Sequence, residues 1–284
     1  MDTDLDKLVK LLEVKQIDKY LFVGRSPKRP GRIFGGQVLA QSLNAAINTV
    51  DASRQAHSIH AYFLRPGNPK KQIIFEIDPI RDGRSFTTRS VIAKQDGVPI
   101  FNASISFQIE EPGMSHQFDA PQVTPPEELE TDRDFWQRLA DENPGKIDAP
   151  TMHPIERRPV NRRDILSPEP QEPEQQIWFR ALGNLGDDAG IHQTVLAFMS
   201  DFALLGTALL PHPYNGMSDG LQAASLDHTL WFHRPFRADE YLLYCLDSPS
   251  AAAGRGFSRG SFYSREGELV ASTAQESLLR TREA

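Results

Sequence analysis

The sequence predicts an α+β protein of two similar halves, each a curved antiparallel sheet wrapped around one long helix. Three observations carry this. The first is a repeat. His57-Ser-Ile-His-Ala-Tyr-Phe-Leu-Arg-Pro-Gly67 returns as Ser225-Leu-Asp-His-Thr-Leu-Trp-Phe-His-Arg-Pro235. A glycine-arginine turn follows each, Gly83-Arg-Ser-Phe86 and Gly254-Arg-Gly-Phe257, and then a second turn, Asp96-Gly97 and Glu266-Gly267. The offset of about 170 residues is that of a duplicated domain, not of a short solenoid unit. The second observation is the order of elements: each half has one apolar helical run, then consecutive strands bounded by turn residues. The third is that an apolar helix needs covering on most sides, which a curled sheet provides.

The elements follow in order. Residues 4–16 read as an amphipathic helix, with Leu5, Leu8, Leu11 and Leu12 on one face. Tyr20-Leu-Phe-Val23 is a strand candidate. Gly35-Gly36 opens a helix to about Asn48, made apolar by Val38, Leu39, Ala45, Ala46 and Ile47. Strands are expected at 57–65, 72–81, 84–94 and 98–109, separated by Pro66-Gly67, Asp82-Gly83 and Asp96-Gly97. Residues 111–175 hold 11 of the 21 prolines, which excludes regular sheet or helix over most of the stretch. Pro126-Glu-Glu-Leu129 has proline early and acids in the first turn, so a short helix is expected from there to Ala140. In the second half Ile177-Trp-Phe-Arg-Ala-Leu182 is a strand, and a long apolar helix runs from Ile191 to about Leu210, ended by Pro211. Strands follow at 225–235, 240–248, 255–264 and 268–279. The expected division is a first half over 1–110, a proline-rich connector with a short helix over 111–175, and a second half over 176–284 that carries the catalytic residues.

Composition narrows the function. A net charge of −7 argues against nucleic acid or an anionic membrane as the main partner. The single cysteine, Cys245, lies in the apolar run Tyr241-Leu-Leu-Tyr-Cys-Leu246 and reads as a buried strand thiol. It excludes an intrachain disulfide and a cysteine-based metal site. No His-x-x-x-His spacing occurs, so no metal and no cofactor are expected. The acidic Met1-Asp-Thr-Asp-Leu-Asp6 is no signal peptide, and no apolar run approaches the roughly 20 residues of a membrane span. The end, Thr281-Arg-Glu-Ala284, is no Ser-Lys-Leu address. A cytoplasmic protein is the expectation.

Comparing the halves isolates polar residues that folding alone does not require. Asp201 lies deep in the apolar Leu196-Ala-Phe-Met-Ser-Asp-Phe-Ala-Leu-Leu-Gly206, whereas the helix from Gly35 to Asn48 has no acid. Its burial costs several kcal/mol unless it is paired or hydrogen-bonded. A structural acid that caps a loop or meets an arginine is the plainer alternative. Ser225 aligns with Ala56 and Gln275 with Ile105; an ordinary strand serine and an exposed strand amide are the plainer readings there. Together the three have one shared use. The carboxylate accepts a proton from water, and the other two hold that water in line with a carbonyl.

Rival arrangements fare worse. Gly256-Phe-Ser258-Arg-Gly260 matches the Gly-x-Ser-x-Gly of serine hydrolases, but that motif needs a strand, a sharp turn and a helix. Here strand continues, and no histidine follows His233. Ser225 and His228, three apart on a regular strand, are expected on opposite faces, which makes His228 and His233 structural or rim residues. Asp227 shares the parity of Ser225, but an aspartate near a strand end needs no special cause.

At these residues the chain resembles the acyl-CoA thioesterase II family. The matching segments include Gly35-Gly-Gln-Val-Leu-Ala-Gln41, Arg81-Asp-Gly-Arg-Ser-Phe86, Ser200-Asp-Phe202, Leu226-Asp-His-Thr-Leu-Trp-Phe-His-Arg-Pro-Phe236 and Ala271-Ser-Thr-Ala-Gln-Glu276, beside the 57–67 segment. The resemblance implies a double hotdog fold and hydrolysis of acyl-CoA to fatty acid and CoA. It places the family's catalytic set on Asp201, Ser225 and Gln275, with serine where the best-known members have threonine. It also suggests a homodimer or homotetramer. Gly36, at a helix N-terminus, is the candidate backbone donor to the thioester oxygen. Two alternatives stand beside this. A hotdog hydratase or dehydratase wants a paired acid and histidine, and His192 precedes Asp201 by too much helix to share its site. A non-catalytic acyl-CoA-binding regulator has no need of a buried Asp201.

Overall fold

The computed structural model describes residues 3–28, 30–150, 153–216 and 218–281. The first half runs α1 (Asp4–Leu12), β1 (Lys15–Asp18), β2 (Leu21–Gly24), α2 (Gly35–Ile47), β3 (Arg54–Phe63), β4 (Ile73–Asp82), β5 (Phe86–Gln95) and β6 (Val98–Ile109). The linking stretch holds α3 (Asp132–Glu142) and β7 (Ile155–Pro159). The second half runs β8 (Glu174–Ala181), α4 (Ala189–Ser200), α5 (Leu204–Leu209), β9 (Leu221–Ser225), β10 (Asp227–Phe232), β11 (Leu242–Ala252), β12 (Arg255–Tyr263) and β13 (Leu269–Thr281).

The strands form one antiparallel sheet, joined at its middle where β3 pairs with β10. Outward from that join the order is β3-β6-β5-β4-β2-β1 on one side and β10-β13-β12-β11-β8-β7 on the other. The two lists correspond strand for strand, as a duplicated chain requires. β1 and β7 are therefore equivalent edge strands. Neither reads as a strand in the sequence: Lys-Gln-Ile-Asp is exposed throughout, and Ile-Glu-Arg-Arg-Pro buries only its first residue. β7 is thus an addition to what the proline count of 111–175 leads one to expect.

The apolar helices lie inside the curl and pack on each other. Leu39, Leu43, Leu196 and Met199 are fully buried between them and the sheet. In α1, Thr3 caps the helix and Asp6 returns the bond, while Leu5, Leu8 and Leu12 turn inward. Gln37 and Gln41, one turn apart on α2, are buried because their amides hold the chain before the helix. Gln37 donates to Ser26 at 2.6 Å and Gln41 to the carbonyl of Leu11 at 2.6 Å. Cys245 sits in β11, and burial raises its thiol pKa to about 12, which keeps it unreactive.

Four elements differ from expectation. The helix expected over 4–16 ends at Leu12, and the last two residues of that span open β1. The helix begun at Pro126 is only a 3-10 turn to Glu128, and α3 starts afresh from Thr131, whose side chain accepts the Asp134 N–H. The long helix over 191–210 is two helices, α4 and α5. The strand over 225–235 is broken at Leu226 into β9 and β10. The last two breaks build the site.

Candidate active site

Asp201 ends α4. It is the C-cap residue, and the chain then turns through Ala203, whose φ is +72°, before α5 begins. The left-handed turn costs about 1 kcal/mol for a residue with a Cβ. It frees Asp201 from the helix and aims its carboxylate at the start of α2. There the Gly36 N–H donates to Asp201 Oδ2 at 2.7 Å. The approach is close because both residues at that helix start lack side chains. A Cβ on Gly35 would stand 2.8 Å from Asp201 Oδ2, and one on Gly36 would stand 2.6 Å from the Phe198 carbonyl. The donor expected to face a thioester oxygen thus meets the Asp201 carboxylate instead.

The carboxylate is almost fully buried, with 5% of its side chain exposed. Burial pushes its pKa up to about 7, opposed by the Gly36 N–H, the Arg32 guanidinium and the Ser225 hydroxyl. Its position at the negative end of α4 acts in the same direction as burial, and the positive end of α2 against it. Oδ2 is taken by Gly36, while Oδ1 is buried and makes no hydrogen bond. Oδ1 is therefore the acceptor available to a water.

Ser225 closes β9, and Gln275 lies on β13. The Gln275 amide donates to Ser225 Oγ at 3.0 Å and to Ser277 Oγ at 3.3 Å. Asp201 and Ser225 both line a cleft of about 500 Å³, with Phe34, Gly35, Phe63 and Leu205 among its other walls. Gln275 stands behind Ser225, 1% exposed. The three residues picked from the comparison of halves are together, and the cleft joins first-half apolar walls to second-half polar groups.

The strand break brings in a residue that parity misses. β13 pairs with β9 at Ser225–Ser277 but with β10 at Thr229–Ala274, a one-residue slip centred on Leu226. The first half has the same slip between Ala56 and Ser58. After the slip His228 faces inward like Ser225, contrary to the alternation of a regular strand. It is fully buried. Its Nδ1 lies 2.8 Å from Gln275 Oε1 and its Nε2 2.9 Å from Ser200 Oγ. Nδ1 also stands 4.0 Å from Asp201 Oδ1. Burial lowers the His228 pKa to about 4, so the ring is neutral. Asp227, the rival acid, is engaged by the slip itself, accepting the Glu276 N–H at 2.6 Å. His192, at the far end of α4, holds the Ala238 N–H and the Gly186 carbonyl.

The register also identifies what the first half carries instead. Ile59 pairs with Ile105 there, the positions of His228 and Gln275 in the second half. Arg89 faces Ile105 as Ser258 faces Gln275. The β11–β12 turn is two residues shorter than the β4–β5 turn, so Arg89 rather than Thr87 is the equivalent of Ser258. Arg89 is buried and donates to the Thr49 carbonyl just past the end of α2 and to Asp82. The corresponding place in the first half is occupied by this buried, hydrogen-bonded arginine.

Ser258 is 2% exposed, and its hydroxyl donates to the Leu204 carbonyl at 2.8 Å, with no histidine bonded to it. Ser258→Ala is expected to leave turnover within about twofold while costing about 1 kcal/mol of stability. Steady-state rates and a melting curve check both. Labelling of Ser258 by a fluorophosphonate with loss of activity would make it a nucleophile instead.

Comparison with known proteins gives the family. Residues 148–278 match the model of the acyl-CoA thioesterase family, and residues 25–108 match that of the acyl-CoA thioesterase N-terminal domain. Acyl-coenzyme A thioesterase 8 of Homo sapiens is 41% identical over 96% of this chain and 88% of its own length. The crystal structure of an acyl-CoA thioesterase II from Mycobacterium marinum is 40% identical, with a TM-score of 0.79 over 96% of this chain and 98% of that one. A hotdog-fold protein from Alicyclobacillus acidocaldarius, at 19% identity, matches in fold with a TM-score of 0.79 over both whole chains. The fold is a double hotdog, and the chain belongs to the acyl-CoA thioesterase family.

Proposed function

We propose that a water held by Asp201, Ser225 and Gln275 attacks the thioester carbon of an acyl-CoA directly. Family membership gives the reaction as hydrolysis of the thioester to acid and CoA. One observation carries the assignment of residues: Asp201 presents an unpartnered, buried Oδ1 beside a hydroxyl that Gln275 orients, at the wall of one cleft. Asp201 takes the proton as the water oxygen bonds to carbon. The tetrahedral oxyanion collapses, the carbon–sulfur bond breaks, and the proton passes from Asp201 to the departing CoA sulfur. The N-terminal end of α2, which reaches the cleft at Gly35, favours negative charge on the thioester oxygen. Gly36 holds Asp201 in place rather than the substrate.

A hydratase or dehydratase is the second reading, and one distance favours it, the 4.0 Å between His228 and Asp201. Both ring nitrogens of His228 are engaged, however, and the ring is fully buried and neutral. It has no free nitrogen with which to exchange a proton with substrate. The division at 110 and 175, expected from the repeat and the prolines, a cytoplasmic location, expected from the sequence, and a homodimer or homotetramer, expected from the family, belong to this proposal. Among the described residues no helix is long and apolar enough to cross a membrane.

Single-turnover hydrolysis in oxygen-18 water tests the route. Direct attack puts the label in the released acid and none in Asp201. Label in the Asp201 carboxylate after one turnover would mean an anhydride intermediate and would overturn the proposal.

A further inference from the structure

We infer that His228 is a positioning residue, whose imidazole fixes which end of the Gln275 amide faces Ser225. The inference rests on the reading of Asp201, Ser225 and Gln275 as the set that holds the attacking water.

A glutamine amide presents a donor at one end and an acceptor at the other, in nearly the same shape. Its surroundings decide the orientation. With the His228 proton on Nδ1, the ring donates to Gln275 Oε1, and the NH₂ group turns to Ser225 and Ser277. Nε2 then accepts the Ser200 hydroxyl. Every hydrogen bond in the chain then runs one way, from Ser200 to His228 to Gln275 to Ser225. The Ser225 proton is left to point at the Asp201 carboxylate or its water. With the proton on Nε2 the chain reverses. The Ser200 hydroxyl turns to the Ala197 carbonyl, which it reaches at 2.9 Å. Gln275 must then offer its NH₂ to the ring and its carbonyl to Ser225. Ser225 would donate to that carbonyl and have no proton for the Asp201 side.

One observation selects the first arrangement, and a second shows that folding alone does not call for the pair. Gln275 meets two serine oxygens on its outer end, Ser225 at 3.0 Å and Ser277 at 3.3 Å, which suits an NH₂ with two protons. The copy without a catalytic acid has Ile59 and Ile105 at the places of His228 and Gln275. The fold thus closes with apolar side chains at both positions. Burying an imidazole and an amide there carries a desolvation penalty that only their hydrogen bonds offset.

The test uses the full-length protein with one acyl-CoA, measuring kcat and KM for His228→Asn, His228→Gln, Gln275→Ala and the double variant His228→Gln with Gln275→Ala. The asparagine amide nitrogen reaches the place of Nδ1, whereas the glutamine one reaches that of Nε2. Asparagine should therefore restore most of the turnover. His228→Gln should lower kcat by about ten- to a hundredfold, with KM within about twofold, as a misplaced water-holding group does. On the Gln275→Ala background His228→Gln should change kcat no further, since the ring acts through that amide. A merely structural histidine would give equal losses for asparagine and glutamine, or losses that multiply on the Gln275→Ala background, and either result overturns the inference. Full activity of Gln275→Ala would overturn the reading of the site itself. Should the glutamine variant fail to fold, a long-range ¹H–¹⁵N spectrum of the unmodified protein decides. A protonated Nδ1 supports the inference, and a protonated Nε2 overturns it.

Discussion

Asp201→Asn is expected to abolish most hydrolysis and to make the protein more stable. Asparagine keeps the volume and can still accept the Gly36 N–H, but it cannot take a proton from water. Loss of a positioned general base lowers kcat by roughly a hundredfold or more. The stability gain follows from linkage. The Asp201 pKa is raised from 3.8 to about 7 by burial. Between those values the folded chain holds a proton that the unfolded chain has released. Stability therefore falls as pH rises from about 4 to 7 and stays reduced above it. The shift corresponds to an upper bound of about 4 kcal/mol at pH 8. An amide NH₂ left without a partner takes back about 1–3 kcal/mol of this. The variant should therefore melt a few degrees higher at pH 8 and show no such advantage at pH 4. The same pKa predicts that kcat/KM of the unmodified protein rises with pH through about 7 and then levels. Near-normal turnover by a folded Asp201→Asn protein would sink the assignment. An equal melting-point change at both pH values would sink the electrostatic account.

The duplicated chain made much of this legible before any coordinates. The first copy served as a control for the second, so Asp201, Ser225 and Gln275 stood out as polar residues that one fold does without. The strand register supports that alignment at Ile105 and Gln275. His228 was not legible, because the rule that alternate residues share a face fails across a bulge, and nothing in Ser225-Leu-Asp-His228 marks the slip. The only sign was indirect: Ile59, its partner by repeat, is apolar and fully buried. The end of α4 was hidden for a related reason. The left-handed residue there is Ala203, not a glycine, and the apolar pattern continues unbroken into α5. Edge strands β1 and β7 lack the signal by which strands are read, hydrophobic period, because β1 is exposed throughout and β7 fully buries only Ile155. Gly36 stands at the helix start that the sequence predicts, but its N–H meets Asp201. No sequence pattern indicates that the end of α4 stops 165 residues away at that same N–H.

Gly36→Ala is expected to disable the enzyme without touching any group that handles a proton. A Cβ at Gly36 would stand 2.6 Å from the Phe198 carbonyl oxygen and 2.6 Å from an atom of the Phe34 ring. The ring can rotate away. The carbonyl belongs to the backbone of α4 and cannot, so the first turn of α2 must move off α4. That movement lengthens the 2.7 Å bond between the Gly36 N–H and Asp201 Oδ2 and loosens the hold on the carboxylate. Overpacking of this kind costs about 1–3 kcal/mol of stability. A displacement of the base by about an ångström lowers kcat by up to about a hundredfold. The two effects separate by pH. The N–H favours the ionised carboxylate, so weakening it moves the pKa of Asp201 further up, and the pH–rate curve of the variant should shift to higher pH. A loss caused by general loosening of the fold would lower the whole curve without moving it. An unshifted curve in a folded Gly36→Ala protein would mean that the glycine serves helix packing alone and that Asp201 is held by something else.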